Sequence, residues 1–329
     1  MRFDCKMAEI VPFHRFKTIC TIVVVALLIP ACGGGPARED TVFTVRMVAA
    51  RTIPGHWEVS AERGLDRISA ELEADVARIQ VDHPKNERGL LADMGRGGID
   101  LVFCVGGFAE ASVYSAAIEF PRTVYVVLPG RARADNVAGI EFVPEEAGYL
   151  AGAVAGALAA DGPLGILHGS GRPWLEPLEE GYIAGFRSHR RKAKIVAGEG
   201  VDGAWQLAAA GALVSLYATD RPDPQVLAAV HDSGIRLVAA DPELWRFETD
   251  TVVATVDLDV AESMVRVARE VRDGTFEGRV FSFDLGSGVL DVVLSPALAA
   301  DELAVADEAL GTARAEITAG LVEFDELGL

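Results

Sequence analysis

Four tryptophans, Trp57, Trp174, Trp205 and Trp245, each stand a few residues after an apolar run rich in Val, Ile or Ala: "VRMVAA", "GILH", "KIVAG" and "RLVAA". Carboxylates share the same zones: Glu58 beside Trp57, Glu110 after "VGGFA", and Asp241 directly after "RLVAA". Flat aromatic faces with a few acids suit recognition of a small polar molecule that has a flat portion. Stacking of such a portion on an aromatic side chain contributes about 1–3 kcal/mol, by analogy with nucleobases. His56 is close enough in sequence to join Trp57, although a plain loop position also accounts for it. Each tryptophan has a packing alternative, as a cover over a sheet end, and Trp245 reads most readily as structural.

The elements that must position these residues are legible. Twelve short apolar runs read as strands, among them "FTVRMVAA", "IDLVFCV", "TVYVVLP", "LGILH", "ALVSLYA" and "TVVATV". Segments of helical period lie between many of them: Glu58 to Leu72, Pro144 to Ala160, Leu175 to Arg190, Pro224 to Ser233, Val260 to Arg272 and Asp301 to Ala319. Uniformly apolar strands alternating with helices imply an α/β protein of parallel sheets covered on both faces. Some 300 residues of this pattern exceed one comfortable sheet, so two lobes are expected. In such sheets ligands bind beyond the carboxyl ends of the strands, where the tryptophans and acids fall.

The amino end predicts an exported, anchored protein. Arg15 and Lys17 precede the apolar run "TICTIVVVALLIPA", residues 18–31. That is a secretory signal pattern, and the run falls short of the roughly 20 residues that span a bilayer. Ile29-Pro30-Ala31-Cys32 resembles a bacterial lipobox, which implies cleavage before Cys32 and lipidation of its sulfur. "GGGPARED" then reads as a tether over 32–40. Met7 is an alternative start. Cys5 and Cys20 leave with the signal, so Cys104, inside "DLVFCV", is the one thiol left and reads as an inert core residue.

Composition narrows the function classes. The formal charge is −19, which argues against nucleic acid and against a basic membrane-binding face. The one basic cluster, "RSHRRKAK" (Arg187 to Lys194), sits at a helix carboxyl end, where cations are favoured. Catalytic signatures are missing. "HGSGRPW" breaks the dinucleotide-loop spacing, no Walker or G-x-S-x-G motif occurs, and the six histidines lack metal-ligand spacing. His168 reads as a sheet-end histidine. No enzyme, metal or cofactor is expected.

Two stretches carry a family resemblance: "GGIDLVFCVGGFAEASVYSAAIEFP" and "NVAGIEFVPEEAGYLAGAVAGAL". With "EEGYIAGF" and "ARAEITAGLVEF" they resemble the basic membrane protein (PnrA-like) family over about residues 41–325. These are substrate-binding lipoproteins of ABC transporters, many for purine nucleosides. The resemblance implies a type I periplasmic-binding fold: two doubly wound parallel-sheet lobes, three hinge crossings and a ligand in the cleft. The expected lobes are 41–143 with 244–274, and 144–243 with 275–329, after a signal over 1–31. It implies a lipid-anchored importer component in the cell envelope, facing periplasm or exterior, with an ABC permease as partner. Trp57 falls on the family's base-stacking aromatic, Glu110 and Asp241 on ribose-binding acids, and Glu58 on an asparagine. Ile53 and Pro54 replace paired aspartates, Val256 replaces a ribose-contacting lysine, and Trp205 stands nearest the second stacking aromatic. The alternative is an envelope sensor or interaction lipoprotein on the same fold with a degenerate pocket.

Overall fold

The computed structural model describes residues 42–50, 55–169, 175–219, 221–241, 244 and 250–324, with only the backbone described at Gly55 and His56. The signal, the tether with Cys32, Ile53, Pro54, Trp174 and Trp245 lie outside the described residues.

Strand and helix alternate through the first half: β1 (Thr44–Ala50), α1 (Gly55–Leu72), β2 (Asp75–Val81), α2 (Glu87–Arg96), β3 (Leu101–Val105), α3 (Glu110–Glu119), β4 (Val124–Leu128) and β5 (Val137–Phe142). The pattern continues with α4 (Pro144–Leu158), β6 (Leu164–His168), α5 (Leu175–His189), β7 (Ile195–Glu199), α6 (Gly200–Ala209), β8 (Val214–Ala218), α7 (Pro224–Ser233) and β9 (Arg236–Ala239). Then follow β10 (Val252–Leu258), α8 (Val260–Asp273), β11 (Val280–Phe283), β12 (Leu290–Leu294) and α9 (Ala300–Thr318).

The strands form two six-stranded sheets, ordered β11-β5-β4-β3-β1-β2 and β12-β10-β9-β8-β6-β7. All neighbours run parallel except the β10–β12 pair. Side-chain alternation explains why the strands are apolar throughout. In β3, Leu101, Phe103 and Val105 enter one core while Val102 and Cys104 enter another on the opposite face. In β8, Leu216 and Tyr217 divide likewise. Cys104 is fully buried, and that burial pushes its thiol well above the ordinary range.

The lobe boundaries differ from the expected ones in the last third of the chain. β10 belongs to the second sheet, beside β9, and β11 belongs to the first, beside β5. The expectation assigned them the other way round, with 244–274 in the first lobe and 275–329 in the second. An apolar run records that a strand is buried on both faces, not which strand it pairs with. α8 does pack on the first lobe: Arg67 donates to Glu262 at 2.7 Å, and the Ala261 N–H donates to Ser60 Oγ at 3.3 Å. The chain therefore crosses between lobes at 142–144, 258–260 and 283–290. Among the described residues no helix is long and apolar enough to cross a membrane.

Candidate functional site

A cavity of about 330 Å³ opens between the carboxyl ends of the two sheets, beside the crossings. The first lobe contributes Trp57 from α1, Pro129, Gly130 and Arg131 after β4, and Glu141 and Phe142 from the end of β5. The second contributes Pro144 and Glu145 at the start of α4, Pro177 from α5, Val256 and Leu258 from β10, and Leu290 from β12. This volume is at the lower end of small-molecule sites, about 300–1,000 Å³.

Its aromatic wall is held rigidly. Trp57 is only 3 % exposed and meets Phe142 edge-on, with ring centroids 5.4 Å apart and planes at 83°. Phe142 stacks on Phe283, its register partner in β11, at 5.9 Å. The Arg266 guanidinium lies over Phe283 at 5.9 Å. Arg131 Nε forms an ion pair with Glu141 Oε2 at 3.0 Å. Immediately behind the cavity, the Leu285 N–H donates to Glu146 at 2.7 Å. Burial raises the Glu146 carboxyl above its ordinary value; the Leu285 hydrogen bond opposes this, and Asp284 and Glu145 add to it. Among the described residues no group of His, Cys, Asp and Glu could hold a metal ion.

Of the residues expected at the site, the structure brings one to this cavity, Trp57. Glu58 is turned along its own lobe and pairs with Arg78 of β2, which also holds Glu62 at 3.1 Å. Glu110 begins α3 and is exposed. Asp241 is 2 % exposed just after β9, and its carbonyl accepts from the Leu244 N–H at 3.2 Å. Neither Glu110 nor Asp241 lines the cavity. Trp205 is 47 % exposed on α6, outside the cavity. His56 is in the first turn of α1, its side chain outside the description, as are Trp174 and Cys32.

Residues 55–309 match the family described as Bmp, an ABC transporter substrate-binding protein, PnrA-like. The chain belongs to that family. The PnrA-like chain is 23 % identical over 287 residues to the Transcriptional activator protein med of Bacillus subtilis (strain 168), covering 82 % of this chain and 88 % of that protein. It is 20 % identical over 306 residues to Basic membrane protein A of Borreliella burgdorferi, covering 87 % and 90 %. A solved structure of an ABC transporter solute-binding protein from Conexibacter woesei superposes with a TM-score of 0.70 at 20 % identity, covering 86 % of this chain and 98 % of that one. This last likeness concerns the fold.

Two residues that the sequence did not single out line this PnrA-like site, and a third, Glu87, is buried at a turn outside the cavity lining. Arg131 and Glu141 form the ion pair at the cavity edge, and nothing in "LPGRARAD" or "GIEFVP" pairs them before β4 and β5 are neighbours. Glu87, 3 % exposed, accepts from the Ala109 N–H at 3.1 Å. It pins the turn from β3 into α3, where Gly106 takes φ +101°, a conformation that favours glycine. A polar residue at the start of a short, glycine-interrupted segment gives no sequence signal that it is buried.

Proposed function

We propose that this chain is a lipid-anchored substrate-binding protein of an ABC importer, held in the cell envelope through Cys32. Its lobes close on a small polar or aromatic metabolite, for which a purine nucleoside is the family default. The observation that carries this reading is the interlobe cavity lined from both sides, with Trp57 in its wall and three crossings beside it. Rotation about the crossings lets groups on both lobes engage one guest and exclude water. The closed form is then what a permease meets. No bond is made or broken.

The test is a thermal-shift screen with inosine, guanosine, adenosine and uridine at millimolar concentration. A ligand that binds only the native state raises the melting temperature by mass action. A Trp57→Ala variant that folds but no longer responds supports stacking; one that melts earlier yet responds in full assigns Trp57 to packing alone. No response to any nucleoside removes the default ligand.

A second reading, a non-transport envelope sensor, draws on two observations. Val256, Leu258 and Leu290 make much of the cavity apolar, and one relative is named a transcriptional activator. Interaction with a partner protein that no small molecule alters would favour it.

A further inference from the structure

Resting on the reading of the interlobe cavity as the ligand site, we propose that its preferred guest is an organic cation: a flat, largely apolar body bearing one protonated nitrogen.

Among the described residues the lining carries three charged side chains. Arg131 and Glu141 bind each other, so their charges cancel locally. Glu145 also lines the cavity, and its carboxylate makes no hydrogen bond or ion pair among the described residues. Among the described residues one negative charge is therefore left at a space otherwise walled largely by Trp57, Phe142, Pro177, Val256 and Leu258. Glu145 stands in the first turn of α4, where the helix dipole is complementary to a negative charge. Its charge reaches the neighbouring acid, where it is one of the influences raising Glu146.

Lobe closure strips water from this carboxylate, and a desolvated charge is costly unless paired. A guest ammonium restores the pairing, and an indole or phenyl face nearby attracts the same cation. A polyhydroxylated guest fares worse. Glu110 and Asp241 do not line the cavity, so sugar hydroxyls would meet few partners there, and unmade hydrogen bonds are expensive. The acidic chain also concentrates cations around itself.

Isothermal titration of the full-length protein in mild detergent tests this with tryptamine, its neutral isostere tryptophol, N-acetyltryptamine and inosine. Tryptamine is expected to bind about ten-fold or more tighter than tryptophol and N-acetyltryptamine, the scale of one ion pair reinforced by an aromatic face. Glu145→Gln should bring tryptamine and tryptophol within about two-fold of each other, with the unliganded far-UV spectrum unchanged. The neutral ligands make the same comparison on the wild type, so the result stands even where the variant fails to fold. Equal binding of tryptamine and tryptophol overturns the proposal. Binding of inosine without tryptamine also overturns it, and leaves the cavity's role as a ligand site intact. Silence of all four probes overturns both.

Discussion

Glu146 shows how one side chain ties the hinge to solution conditions. It accepts the Leu285 N–H across the third crossing, and burial raises its carboxyl above the ordinary value. A carboxyl whose folded value is raised favours the native state while protonated. Its contribution is full below the ordinary carboxyl value and is lost as pH rises through the raised one. Glu146→Gln keeps an oxygen to accept from Leu285 and removes the titration. The difference in melting temperature, wild type minus variant, should therefore be largest at acid pH and shrink toward neutrality. Parallel curves would exclude Glu146 as the titrating group. At this scale the sequence was partly informative. Trp57 was legible because a large aromatic after a strand has few places to go. Glu58 and Trp205 were not, since a helix turn of a few tens of degrees decides between cleft, neighbour strand and solvent, and only packing fixes it. The Arg131–Glu141 pair exists only once β4 and β5 lie side by side.

At the scale of elements, α4 and α5 explain their glycines. A Cβ on Gly148 would lie 2.1 Å from the Leu178 carbonyl oxygen, and one on Gly152 2.1 Å from that of Tyr182. On the facing helix, a Cβ on Gly181 would meet the Glu145 carbonyl at 2.0 Å and one on Gly185 the Tyr149 carbonyl at 1.9 Å. Glycines four apart on each helix share a face, so the two backbones pack directly together and fix the α4 and α5 first turns that carry Glu145 and Pro177 to the cavity. Gly152→Ala sets two effects in opposition. Alanine favours the helix by about 1 kcal/mol, but overpacking against a rigid carbonyl costs about 1–3 kcal/mol or more. The steric cost should win and lower the melting temperature. Gly311→Ala on α9 meets nothing within 4 Å and should raise stability by about 0.5–1 kcal/mol. Calorimetric scans showing the same sign for both variants would refute this account. The sequence revealed helices α1, α4, α5, α7, α8 and α9 but not α2, α3 and α6. "ERGLLADMGR" and "GVDGAWQLAA" are each interrupted by glycines, and "EASVYSAAIE" has little contrast between its faces. These three helices are set by docking on their sheets rather than by local pattern.

For the whole molecule, charge decides what can hold it at a membrane. The formal charge of −19 becomes −21 once residues 1–31, with their four Lys/Arg and two Asp/Glu, are removed. Such a body is repelled by an anionic bilayer, and the repulsion falls off over about 8 Å at physiological salt. The basic cluster offers little adhesion: Arg190 is already paired with Asp161 at 3.0 Å, and the cluster ends α5 on an otherwise acidic chain. On the proposed anchoring, retention comes from lipid at Cys32, and more than one acyl chain is needed for a stable anchor. Wild-type protein should stay with membranes through a high-salt wash, leave only with detergent, and take up labelled palmitate. Cys32→Ser combined with a leader that is cut without lipidation should give unlabelled protein in the soluble fraction. Release of the wild type by salt alone would transfer the anchoring role to Arg187–Lys194, and membrane retention of the serine variant would require a second attachment within the folded lobes.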